Sequence, residues 1–153
     1  MGKIENLQDV WDNGVISSAN LSVEETQEFK RRTTARRVVI RKWFYDGELH
    51  QTFHQVRQLP DQSGLVFYKD DDPRTGCIVV LNGDGTKRVT ISVPRVDANS
   101  RPEKGYLSLP PSSARFGGIK WGCEGNDGYT DYLFEFDWQT GVLLRYARPT
   151  RSW

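Results

Sequence analysis

Three carboxylates, Asp131, Glu135 and Asp137, stand at even spacing in the run Tyr129–Trp138, and even spacing along an extended strand places side chains on one face. Grouped acids are what a glycoside hydrolase uses as general acid and base. Two of them must then face each other across about 5–9 Å, with burial raising the pKa of one. Tyr132, Phe134, Phe136 and Trp138 alternate onto the opposite face, the one that a core would cover. The acids therefore read as a solvated face, with Arg145 on the returning strand as counterion. A small hydrolase built on them is the alternative function.

Nucleophilic catalysis and metal binding have less material. The imidazoles are His50 and His54, which four residues of extended chain separate by about 13 Å, too far to share an ion or act as a pair. No Gly-x-Ser-x-Gly elbow is present. Cys77 and Cys123 lie 46 positions apart with no Cys-x-x-Cys partner, so they read as reduced core thiols. The five glycines of Phe116–Gly128 precede a strand, whereas a phosphate cradle precedes a helix, and the segment reads as a surface loop. Pro73 follows Asp70-Asp71-Asp72, and Asn82-Gly83-Asp84-Gly85 lacks the later Glu of a calcium loop. Neither a metal nor a cofactor is expected.

Binding is better supplied. Lys30 to Lys42 holds seven Lys or Arg and no acid, while residues 1–29 hold one Lys against six acids. Arg145, Arg148 and Arg151 add a basic C-terminal stretch. Arginine beside aromatic rings suits single-stranded nucleic acid, which makes the 30–42 segment a third functional reading. The net charge of +1 and the lack of RNP, KH or helix-turn-helix patterns argue against it. Trp, Tyr and Arg are also the residues enriched at interface hot spots. Trp11, Arg36, Arg37, Arg41, Trp43 and His50 are accordingly the candidate binding residues. The function expected is non-enzymatic binding of a macromolecule, either a protein partner or a second copy of the chain. The N-terminus shows no apolar signal region and the longest apolar runs are about four residues, so the expected compartment is the cytoplasm and no membrane is involved.

These residues need elements to hold them. Ile4, Leu7, Val10 and Trp11 share one face of a short helix that Asn13-Gly14 would end, giving an N-terminal arm over residues 1–21. Apolar contact should bury that arm, and pairing of the acidic 1–29 stretch with the basic run favours the same docking. Residues 22–153 then form one β-rich domain. It opens with a lightly packed helix from Ser22 to about Arg32, started by a capping box of Ser22 and Glu25. Asp46-Gly47 predicts a hairpin that pairs Phe44 with Leu49, Trp43 with His50, Ile40 with Phe53 and Val39 with His54. Val38, Ile40, Phe44, Leu49 and Phe53 form its apolar face, and Trp43, His50, Thr52 and His54 a polar, partly exposed one. Further strands are expected at Leu65–Lys69, Ile78–Asn82, Arg88–Val93, Tyr106–Leu109, Tyr129–Trp138 and Val142–Tyr146. Short connections make the fold class mainly β, α+β at the margin: an antiparallel meander, sandwich or partly closed barrel with one or two short N-terminal helices. Asp137–Leu144 resembles the turn of one blade hairpin in quinoprotein-type propellers. A chain this short cannot hold four blades of roughly 40 residues, so the likeness implies turn chemistry alone.

Overall fold

The structure is a computed structural model that describes residues 2–69, 77–108 and 123–148. Its strands are β1 (Glu5–Trp11), β2 (Ile16–Ser18), β3 (Val38–Tyr45), β4 (Glu48–Thr52), β5 (Arg57–Gln58), β6 (Gly64–Lys69), β7 (Cys77–Asn82), β8 (Lys87–Ile91), β9 (Tyr106–Leu107), β10 (Cys123–Asn126), β11 (Asp131–Phe136) and β12 (Leu143–Ala147). One helix, α1 (Val23–Thr33), and a 3₁₀ turn at Pro102–Lys104 complete the described elements. Three four-stranded antiparallel sheets result, ordered β2-β1-β3-β4, β5-β6-β7-β8 and β9-β10-β11-β12, with no closed barrel among them. The fold is mainly β, as the turn chemistry requires. No described helix is long and apolar enough to cross a membrane. The chain divides into two compact units, one of Met1–Leu65 with Asn82–Thr86 and one of Val66–Leu81 with Lys87–Trp153.

In the first unit the expected N-terminal helix is replaced by β1. Leu7, Asp9 and Trp11 are its buried residues, a period of two that belongs to a strand. Asp9 hides that period in the sequence because a carboxylate occupies an inward position. Asn6, at φ 54°, and a second irregularity at Val10/Trp11 shift the register and give the apolar residues their helix-like spacing. Ile4, Leu7 and Trp11 of the arm are nevertheless buried. Trp11 packs on Phe29 with centroids 5.4 Å apart, over Ala35, Val15, Leu21 and Val38. α1 begins as expected: the Ser22 hydroxyl accepts from the Glu25 N–H at 3.1 Å, and the Glu25 carboxylate accepts from the Ser22 N–H at 3.3 Å. Phe29 is its one buried residue, so it packs lightly.

The β3–β4 hairpin turns at Asp46-Gly47 with φ of 51° and 78°, the positive values of a primed turn. Its register includes Phe44↔Leu49 and Trp43↔His50 and runs to Arg41↔Thr52. β4 stops there, short of the pairs expected at Ile40–Phe53 and Val39–His54. The faces are inverted relative to expectation. Trp43 is 1% exposed, whereas Phe44, Leu49 and Phe53 are 38, 55 and 79% exposed. The cause lies in the Asn82–Thr86 turn. Its Gly83 carbonyl accepts the Trp43 indole N–H at 2.7 Å, and a Cβ on Gly83 would fall 2.1 Å from the Tyr45 ring. Only a glycine lets that backbone cover the Trp43 face.

In the second unit all five residues Cys77–Leu81 of β7 are buried, and β8 pairs with it through Ile78↔Ile91 and Val80↔Val89. β11 carries the expected aromatic face of Tyr132, Phe134 and Phe136, with Leu133 buried as well. The end of the expected Gly-rich loop is instead the strand β10, with Cys123 and Gly125 buried. Residues 70–73, 109–122 and Arg151 lie outside the described residues. Cys77 and Cys123 are unpaired core residues, and desolvation pushes the Cys123 thiol up to about 12. A buried carboxylate ties the long 94–105 connection to β10 and β11. Asp127 accepts from the Ser100 hydroxyl at 2.7 Å and from the Tyr129 and Thr130 N–H groups at 2.9 and 2.7 Å.

Candidate protein-interaction surface

Residues directly opposite one another in paired strands share a face, so the register of the β2-β1-β3-β4 sheet sorts its side chains. One face carries the row Ser17, Asp9, Arg41, Thr52 and the pair Trp43, His50. The other carries three rows: Ile16, Val10, Ile40; then Ser18, Gln8, Lys42, Gln51; then Glu5, Phe44, Leu49.

The first face is the more buried one. Arg41 meets Asp9 at 2.8 Å with side chains 15 and 10% exposed, and its guanidinium also donates to the Val56 carbonyl at 2.7 Å and the Gln55 amide oxygen at 3.3 Å. The His50 ring stacks on Trp43 at 5.8 Å. Trp11, buried over Phe29, gives its indole N–H to the Ser17 hydroxyl at 2.9 Å. Four of the six binding candidates, Trp11, Arg41, Trp43 and His50, are thus parts of the inner packing. Arg36 and Arg37 remain exposed just before β3, where Asp12 holds their backbone through the Arg36 N–H and the Arg37 carbonyl.

The second face is open. Ile16, Phe44 and Leu49 are 50, 38 and 55% exposed, Val10, Ile40 and Lys42 are half-buried between them, and Phe53 stands one residue beyond β4. A hollow of about 450 Å³ adjoins it, lined by Asn6, Asn20, Gln58 and Gln62 together with Glu5 and Ser18 of the face itself. Large apolar side chains in registered rows on a solvent face are the feature that marks an interaction surface. Sequence reasoning placed Phe44 and Leu49 together but turned them inward, and it read Ile16 in no element at all.

The acidic set divides among separate partners. Asp131 accepts from the Asn126 amide at 2.7 Å, and Glu135 pairs with Arg145, its cross-strand neighbour, at 2.6 Å. Asp137 lies past the end of β11 and accepts from the Gln139 N–H at 2.8 Å and the Thr140 N–H at 3.4 Å, which shapes the turn that Gly141 closes at φ 78°. Among the described residues no three His, Cys, Asp or Glu are grouped to hold a metal ion.

No protein-family model and no curated protein sequence matches the chain. A solved structure does: a chain in the structure of Tne2 in complex with Tni2 aligns at a TM-score of 0.66 over 97% of this chain and 99% of that one, with 17% identity. At that identity the likeness establishes the fold. The neighbour's setting is a protein–protein complex.

Proposed function

We propose that the chain is a protein-binding module that acts by contact, and that the open face of the β2-β1-β3-β4 sheet is its interface. The observation that carries the reading is the exposure of Ile16, Phe44 and Leu49 on one face of a sheet whose reverse side holds the buried Trp43 and Asp9. These side chains are already about half-buried, so covering what remains under a partner stabilises a complex by about 1 kcal/mol each, before the costs of association are subtracted. The fold shared with a chain found in a protein complex supports the same class of function. The separate hydrogen-bond and ion-pair partners of Asp131, Glu135 and Asp137 favour this reading over the hydrolase alternative. Buried, unpaired Cys77 and Cys123 agree with a cytoplasmic setting.

Phe44→Asp/Leu49→Asp tests the interface, with Leu144→Asp in the second unit as control, since Leu144 is exposed to a similar extent at 55%. Immobilised full chain is exposed to lysate of its native host and bound protein is identified by mass. Wild type and Leu144→Asp should retain the same protein, and the double variant should lose it at an unchanged melting temperature. Retention by the double variant, or loss by Leu144→Asp alone, refutes this placement of the interface.

A further inference from the structure

We infer, resting on that interface, that the partner presents a carboxylate to Lys42 from within an acidic surface. Of the seven cations between Lys30 and Lys42, the fold engages three: Arg31 pairs with Glu28, Arg41 with Asp9, and Lys30 lies over the Trp11 ring at 5.6 Å. Arg32, Arg36, Arg37 and Lys42 form no ion pair among the described residues. Lys42 is the one that matters most, because of where it stands. It occupies the middle of the open face, between the Ile16, Val10, Ile40 row and the Phe44, Leu49 pair, and its direct cross-strand neighbours are the neutral amides Gln8 and Gln51. Glu5, the carboxylate of that face, stands opposite Phe44 and makes no ion pair with Lys42.

A partner that covers the apolar rows must also cover this ammonium. An ammonium taken out of water without a counterion costs several kcal/mol, more than burial of one of its apolar neighbours returns. Nothing on the sheet supplies the counterion, so the partner must. Arg36 and Arg37, just before the same strand, extend the positive field beyond the covered area, where charges act on encounter rate and register. A second copy of the chain fits poorly, since pairing two such faces about a twofold axis near their centres brings two Lys42 ammoniums together.

The protein captured from the native lysate, purified, is the probe for titration against the full chain. Lys42→Met and Lys42→Glu should each weaken binding by about 30-fold or more, while Lys42→Arg stays within about tenfold, because removing one partner leaves the other charge buried and alone. Arg36→Gln/Arg37→Gln should lower the association rate by about threefold to tenfold, and raising the salt from 0.05 to 0.5 M should erase that difference. Binding by Lys42→Met at wild-type strength overturns the proposal, and a loss on Phe44→Ala/Leu49→Ala in the same titration shows that the interface survives without it. Unchanged binding in both variants sinks the interface as well, as does capture of no protein. A labelled 20-mer nucleic acid is the competing probe. If it binds the chain and is lost with Lys42→Met but not with Phe44→Ala/Leu49→Ala, the face serves phosphates and the inference fails.

Discussion

Asp127 shows what one buried carboxylate does for the second unit. Burial pushes its pKa up, yet hydrogen bonds from the Thr130 N–H, the Ser100 hydroxyl and the Tyr129 N–H outweigh that and hold it below the usual carboxylate value. The folded pKa is therefore lower than the unfolded value of about 3.9. The stability this contributes is present above pH 3.9 and is lost as the pH falls through the folded pKa. Asp127→Asn keeps one acceptor oxygen but loses the charge, so acid denaturation below pH 4 should become shallower than in wild type. Asp127→Ala leaves three donors unsatisfied and should cost about 2–4 kcal/mol at neutral pH, read from urea unfolding. An identical acid limb in wild type and Asp127→Asn would show that the group is not linked to folding. The sequence places Asp127 in the Gly-rich Phe116–Gly128 segment, but nothing local reveals that Ser100, 27 positions away, completes the site.

At the scale of elements, legibility follows the range of the interactions that define each one. The α1 capping box and the Asp46-Gly47 turn are closed by neighbours within three residues, and both stand in the sequence as they stand in the fold. β1 is different. Its inward Asp9 is compatible with a strand only because Arg41, 32 residues on, neutralises it, and the inversion of the hairpin faces depends on Gly83, 40 residues from Trp43. Period counting has no access to either contact. The Asp9–Arg41 pair also makes a prediction about β1 itself. Asp9→Leu removes one partner of a nearly buried pair and should destabilise the fold by about 3–5 kcal/mol, whereas Asp9→Leu/Arg41→Met should recover most of that loss. Melting temperatures of the three chains decide it. Equal melting of wild type and Asp9→Leu would mean that Arg41 is satisfied by Val56 and Gln55 alone.

For the whole molecule, a net charge of +1 conceals the arrangement that matters, an acidic 1–29 stretch folded onto a basic 30–42 run that is only partly neutralised. That remainder has a consequence for self-association. The open face carries exposed apolar side chains, and β2 and β4 form the edges of its sheet. Lys42 stands where a self-pairing face would have to be dry, and a lone central cation is a device by which proteins keep such faces apart. The isolated full chain should therefore sediment as a monomer across a hundredfold dilution from about 100 μM, a range in which even a weak dimer would shift. Lys42→Leu joins the Ile16, Val10, Ile40 row to Phe44 and Leu49 in one apolar patch, and this variant should gain mass with concentration. Adding Phe44→Asp should return it to a monomer, since the new contact depends on the same face. A wild-type chain that is already dimeric, or a Lys42→Leu chain that stays monomeric at 100 μM, would show that something other than this ammonium governs access to the sheet.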